Sequence, residues 1–187
     1  MTTLISQSLR LTLIYTLLLG AAYPLLVTGV AQLAFHRQAN GSLAEHNGQV
    51  VGSTLLAQKF ASPRYFWPRP SAGDFATIPS GASNLGPTSQ ALQSNVNAYA
   101  VAFRATNQLP ASFAIPGDML FTSGSGLDPH ISPVSAHLQV VRVAAARGLK
   151  SEQVETLLAK LVEPSQGGFM GEPRVNVLQL NQALDSL

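Results

Sequence analysis

Residues 11–35 read LTLIYTLLLGAAYPLLVTGVAQLAF, with no Asp, Glu, Lys, Arg or His among them. At about 1.5 Å rise per residue such a stretch makes a helix roughly 37 Å long. That is enough to cross a hydrocarbon core of about 30 Å with some tilt. In lipid every backbone polar group must bond within the segment, so a single span has to be helical. A cleavable export signal is the competing reading, with Gly29-Val30-Ala31 as a small-residue cut. Its apolar core normally runs for only about 7–15 residues, whereas this run continues through Leu33 to Phe35. A buried helix of a soluble protein, apolar on every side, needs a larger body around it than 187 residues supply. The reading adopted is a membrane span followed by one tethered domain.

The rest of the chain is a different polymer, mixed in polarity and punctuated by Pro and Gly. All nine acidic residues follow the span, with ten of the eleven basic ones, Arg10 being the exception. This near balance leaves no clustered basic face of the kind nucleic-acid binding needs. The absence of cysteine excludes disulfides, thiolate metal sites and Cys nucleophiles. Arg10 and the amino terminus on one side, against Arg37 on the other, give a slight positive-inside preference. The expected organisation is a cytoplasmic tail at 1–10, a transmembrane helix at 11–35, a linker at 36–48 and an extracytoplasmic domain at 49–187. The expected fold is a single N-terminal transmembrane helix plus a soluble α+β domain with a few short strands.

Within the span, Thr16, Gly20, Pro24 and Thr28 recur every four residues. Small and weakly polar groups on one face let helix backbones approach in a membrane, so this row is a candidate contact with a partner helix. Pro24 removes one backbone donor and is a candidate kink. Asn40-Gly41 and Asn47-Gly48 are turn signals in the linker, and 50–60 reads as a short strand entering a helical turn. Arg64-Tyr65-Phe66-Trp67, with Arg69 two residues on, sits among prolines and cannot form a regular helix. Two readings stay open for the three rings: an exposed interaction patch, or a plug for the core beneath an extended loop. The two arginines are suited to carboxylates, ring faces or lipid phosphates.

Leu92, Val96, Tyr99 and Phe103 form one helical stripe after a cap at Thr88 or Ser89. Residues 119–122 read as a short strand. Ser132 and Pro133 open a helix whose expected buried stripe is Val134, Leu138, Val141 and Ala145, ending at Gly148. Ser151 is the expected cap of the next helix, which buries Val154, Leu157, Leu158 and Leu161. Residues 175–178 read as a strand, with a last helix from Gln179.

The loop at 123–132, SGSGLDPHIS, holds Ser125, Asp128 and His130 within six positions. A hydrolytic triad normally converges from separate elements, and no G-x-S-x-G elbow is present. A phosphate loop lacks its Lys, and the His and Asp spacing matches no familiar metal set. Backbone amides ahead of the Ser132 helix are able to hold an anion. The simplest reading is that Asp128 and His130 pin a tight loop through side-chain to backbone bonds.

This loop, with AHLQVVRVAAARGL at 136–149, resembles the KdpC family, a component of the Kdp potassium-transporting P-type ATPase. Further matching motifs are GSTLLAQKF at 52–60, RYFWPRPSA at 64–72, SNLGPT at 83–88 and GEPRVNVLQLNQALD at 171–185. Ala57, Ala82 and Phe75 depart from the usual Gly, Gly and Tyr of that pattern. The resemblance implies an accessory, non-catalytic member of an ATP-driven pump that carries potassium inward. Its implied partners are the pump's channel-like, potassium-binding component, its P-type ATPase component, its small further component, and membrane lipid. It also implies a catalytic-chaperone role, raising the affinity of the ATPase component for ATP. ATP and potassium then act through the complex, and no cofactor is assigned to this chain. A domain outside the cytoplasm cannot touch cytoplasmic ATP, so an indirect effect through the membrane helices is expected. A membrane-anchored periplasmic enzyme or binding module remains the alternative.

Overall fold

The computed structural model describes residues 2–187. The apolar run is helical, and the helix begins well before the run does: α1 spans Thr2–Leu17, a π-helical turn spans Leu18–Ala22, and α2 spans Tyr23–Ala34. Together they make a 33-residue helix, long and apolar enough to cross a membrane, about 50 Å in length. The residues expected as a tail are helical from Thr2, and Met1 lies outside the described residues. No residue of α1 or α2 is buried. The π turn ends at Ala22, two residues before Pro24. Proline brings no N–H, and the Tyr23 N–H reaches back to the Leu18 carbonyl instead. In a pure α-helix, residues four apart drift about 40° around the axis at each step. The wider turn takes up part of that drift between Thr16 and Pro24. Phe35 leaves helical geometry at φ −135°, and a four-residue helix, α3 (His36–Ala39), follows.

Residues 1–43 and 44–187 separate into two units. The second turn signal of the expected linker proves to be a hairpin turn between β1 (Leu43–His46) and β2 (Gln49–Ser53). Asn47 at φ 51° and Gly48 at φ 75° supply the two left-handed positions a two-residue hairpin needs. Strand β2 ends at Ser53 in a turn, not in the expected helical turn. Residues 57–89 then run without regular structure. Helix α4 (Gln90–Asn107) starts on Ser89, whose hydroxyl accepts the Leu92 N–H. Only its C-terminal half is buried, through Ala100, Phe103 and Asn107.

The strand expected at 119–122 is instead a 3-10 turn, Gly117–Met119. The turn brings Asp118 to the start of α5 (Pro133–Arg147), where its carboxylate accepts the Ser132 N–H at 2.7 Å and the Ser135 hydroxyl at 2.6 Å. Ser132 is the N-cap and Gly148, at φ 70°, ends the helix. After α6 (Ser151–Leu161), β4 (Val162–Glu163) and β5 (Arg174–Asn176) join β3 (His130–Ile131) in a small antiparallel sheet of order β3-β5-β4. Val175 pairs with Ile131 on one side and Val162 on the other. Lys150, rather than Ser151, is the N-cap of α6. The final helix, α7 (Val177–Asp185), starts two residues earlier than expected because Asn176 accepts the Gln179 N–H.

Helix α5 is rotated from its expected phase. Val134 and Val141 are 61% and 62% exposed, while Ala136, Val140, Val143 and Ala144 are buried. Ser135, Gln139 and Arg142 are buried with them. The hydrophobic stripe alone therefore pointed to the wrong face, and the reason lies in what the buried polar residues hold. Around α5 the core gathers Phe66, Ile131, Val154, Leu158, Val175 and Leu180. Full burial of each such side chain contributes about 1.5–3 kcal/mol.

Candidate functional site

The aromatic stretch is an extended strap whose backbone is bonded by side chains, as a neighbouring strand would otherwise bond it. Asn181 on α7 accepts the Phe66 N–H at 2.8 Å and donates to the Phe66 carbonyl at 2.9 Å. Gln139 on α5 does the same for Trp67, at 2.8 and 3.2 Å. Phe66 is fully buried, so of the two readings open for it the core plug holds. Tyr65 and Trp67 are half-buried and Arg64 is exposed.

Two arginines of α5 fix the strap from below. The Arg142 guanidinium is buried, with no carboxylate partner among the described residues. It donates to the carbonyls of Pro63 (2.7 Å) and Tyr65 (3.0 Å), to Asn107 Oδ1 (2.9 Å) and to Gln139 Oε1 (2.7 Å). Its Cζ lies 4.6 Å from the centre of the Trp67 ring. Burial pulls its pKa down to about 10, so it stays charged at neutral pH. Arg147 donates to the Arg64 carbonyl at 2.7 Å and pairs with Asp185 at 2.8 Å, and Asp185 also accepts the Tyr65 hydroxyl at 3.1 Å.

The glycine-rich loop lies beside the strap. Its Ser123 N–H donates to the Pro70 carbonyl, the Ala57 N–H donates to its Leu127 carbonyl, and the Val177 N–H donates to its Pro129 carbonyl. Ser125 Oγ accepts the Leu127 N–H at 3.0 Å. Gly126 has φ 71°, and a Cβ there would lie 2.9 Å from the Gly81 carbonyl oxygen.

From this loop a line of charges crosses the sheet. Arg69 Nη1 donates to Asp128 Oδ2 at 2.9 Å. Asp128 Oδ1 accepts the His130 N–H at 3.0 Å and lies 3.4 Å from the ring Nδ1. His130 Nε2 is 4.0 Å from Glu163 Oε2, which accepts from Arg174 Nε at 2.9 Å. Of these side chains Arg69, Asp128, His130 and Arg174, with Asp118, Ser132 and Glu172, border an open cavity of about 360 Å³. Burial would raise the Asp128 pKa. The His130 ring and backbone N–H, then Arg69, outweigh it and hold the carboxyl at about 2.

The structure thus brings Arg69, Asp128 and His130 together, and leaves Ser125 in its own turn. Among the described residues no group of three His, Asp or Glu side chains is set to hold a metal. Thr16, Gly20, Pro24 and Thr28 lie on the apolar helix, exposed. Sequence reasoning missed Asp118, Glu163, Arg174, Gln139, Arg142 and Asn181. The one available signal was Gln139 and Arg142, three apart, interrupting the small apolar residues of α5.

Most of the side-chain bonds to the strap go to its backbone, and the ion pairs join side chains of separate segments. The class this defines is a small α+β domain with a rigidly held surface loop and strap, carried behind a helix fit to cross a membrane. The family described as K+-transporting ATPase, c chain, matches residues 5–186, and the chain belongs to this family, KdpC. Three relatives share the description potassium-transporting ATPase KdpC subunit. That of Methylococcus capsulatus is 50% identical over 184 residues, 96% of each chain. That of Sorangium cellulosum is 52% identical over 181 residues, 95% of each. That of Rhodospirillum rubrum is 52% identical over 173 residues, 91% of this chain and 89% of its own.

Proposed function

We propose that this chain is an accessory, non-catalytic subunit of an ATP-driven potassium-uptake complex. The observation that carries the reading is the extent of the family match, which runs through the apolar helix and the domain alike. The apolar helix holds the chain in the bacterial plasma membrane as a single pass, with the N-terminus cytoplasmic and the domain outside. Its partners are the pump's channel-like potassium-binding component, its P-type ATPase component and its small further component. Thr16, Gly20, Pro24 and Thr28 face a partner helix, and the π turn supports this by holding the row closer to one side. On the domain, Arg64, Tyr65, Trp67 and Arg69 border the contact, Phe66 supports them from the core, and the loop of Ser125, Asp128 and His130 presents a fixed shape.

In this reading ATP affinity rises indirectly. A protein that binds one pump conformation more tightly shifts every ligand equilibrium coupled to that conformation. The side-chain bonds that hold the strap support this, because a firmly held surface discriminates between two partner shapes better than a loose one. The test is affinity purification of the tagged chain in mild detergent. Two much larger membrane proteins should accompany it, and ATP hydrolysis by that complex should respond to potassium. Turnover by the isolated chain, lost in Asp128→Ala or His130→Ala, would favour an anchored enzyme instead.

A further inference from the structure

The residues that follow the apolar helix form a fixed joint. Helix α2 breaks at a single residue, Phe35, with φ −135° and ψ 43°, and α3 resumes at His36. No Gly or Pro lies within residues 30–39, so nothing in the local sequence forbids a helix that runs straight through. Sharp bends in helices have a cause, such as Pro, Gly, a π turn or a side chain that intrudes on the backbone bonds.

Here a pair of side-chain amides holds the bend. Asn40 Nδ2 donates to Gln32 Oε1 at 3.2 Å, and Gln32 Nε2 donates back to Asn40 Oδ1 at 3.4 Å. Asn40 Nδ2 also donates to the His36 carbonyl at 2.7 Å, with the His36 ring nitrogens 3.3 Å from it. In an unbroken helix Gln32 and Asn40 would stand about 12 Å apart along the axis, with both side chains tilted toward the N-terminus, and the amides would not meet. The pair therefore forms only when the chain turns at Phe35. Gln32 is the one side-chain amide in residues 11–35, and it is half-buried where its neighbour Leu33 is 91% exposed. A polar side chain in so apolar a helix needs a hydrogen-bond partner, and Asn40 supplies it. Beyond Asn40, the Gly41 N–H donates to the Gln38 carbonyl at 3.0 Å and the Ser42 N–H to the Arg37 carbonyl at 2.9 Å. With Gly41 at φ 86°, these two bonds close α3.

We propose that Gln32 and Asn40 are positioning residues: their clasp latches the joint in its bent form, and the bent form carries the domain's preference for one pump conformation into the membrane helix. A hinge needs only a few residues to absorb the change in φ and ψ, and Phe35 is that residue here. Two bonds between neutral amides make a latch that can open as well as close. With the clasp open the joint is free to straighten, and the domain no longer biases the conformation of the complex. The proposal rests on the indirect effect on ATP affinity proposed above, and the experiment separates the two.

The tagged full chain is purified with the pump's other proteins in mild detergent, and the ATP concentration for half-maximal, potassium-stimulated hydrolysis is measured. Gln32→Ala, Asn40→Ala and the double variant break the clasp. Gln38→Ala, exposed on α3 and outside the clasp, is the control. Each clasp variant should raise the half-maximal ATP concentration about fivefold or more, while the rate at saturating ATP and the yield of copurified subunits stay parental. The double variant should be no worse than Asn40→Ala alone, because the amide pair is already lost. Gln38→Ala should match the parent.

If the parent complex and a complex lacking this chain need the same ATP, the indirect effect falls and the latch with it. If they differ and the clasp variants keep the parental value, the latch is overturned while the indirect effect stands. Additive losses in the double variant overturn it as well, since the two side chains then act independently. A fall in subunit yield does the same, since the side chains are then assembly contacts.

Discussion

Replacing Arg142 by Met tests whether the strap is held from within the domain. Met keeps much of the stem and removes four hydrogen bonds, to Pro63, Tyr65, Asn107 and Gln139. Bonds from a charged donor contribute about 1.5 kcal/mol or more each, so the four amount to roughly 6 kcal/mol. The ring contact with Trp67 adds about 0.5–1 kcal/mol. Against this stands the cost of burying the guanidinium. Its pKa falls from 12.5 to about 10, and at 1.36 kcal/mol per unit removal of the charge returns about 3 kcal/mol. The expected net loss is about 3–4 kcal/mol, a large share of a domain stability of about 5–15 kcal/mol. Trp67 is the only tryptophan in the chain and lies against Arg142, so its fluorescence in a urea titration of the full chain in micelles reports the strap directly. Arg142→Lys should lose less, because it keeps the charge but not the planar fork. A loss below about 1 kcal/mol for Met would show that the carbonyls of the strap find other donors, and would refute the keystone role.

Asp128 titrates at about 2 against an ordinary 3.8. A depressed carboxyl contributes stability that is full above its unfolded pKa and lost as pH falls through the folded one. After allowance for a side chain 30% exposed, Asp128→Asn should cost about 1–2 kcal/mol at neutral pH and flatten the unfolding midpoint between about pH 5 and 2. Val141→Lys should change the stability of the isolated chain by less than about 0.5 kcal/mol. Val140→Lys, at the adjacent and fully buried position, should unfold the domain, as thermal melts would show. Gly126→Ala should cost about 1–2 kcal/mol or more, since its φ is left-handed and its Cβ would press on the Gly81 carbonyl. The same melts read that loss.

The span, the Ser132-Pro133 helix start and its Gly148 stop were legible because each depends on neighbours in sequence. An uninterrupted apolar run, a capping hydroxyl and a left-handed glycine act locally. The phase of α5 was not legible, because Gln139 and Arg142 are buried for the sake of backbone at 63–67, more than seventy residues away. A pattern that counts only apolar residues assigns such a face to solvent. The strand expected at Met119 failed for a related reason: Asp118 is turned inward to cap a helix that starts at Pro133. The loop at 123–132 stood out by its glycines. Its partners Glu163 and Arg174 did not, since the sheet that places them beside His130 is built from strands of two or three residues. The family itself was legible throughout, because it is carried by long motifs in order and owes nothing to these contacts.

The central claim is that the chain works only as part of a pump. The most direct measurement is potassium-stimulated ATP hydrolysis at limiting ATP by the purified complex with and without this chain, alongside the chain alone. The account predicts hydrolysis from the complete complex, little at low ATP when this chain is left out, and none from the chain by itself. Equal rates with and without it, or turnover by the chain alone, would contradict the account.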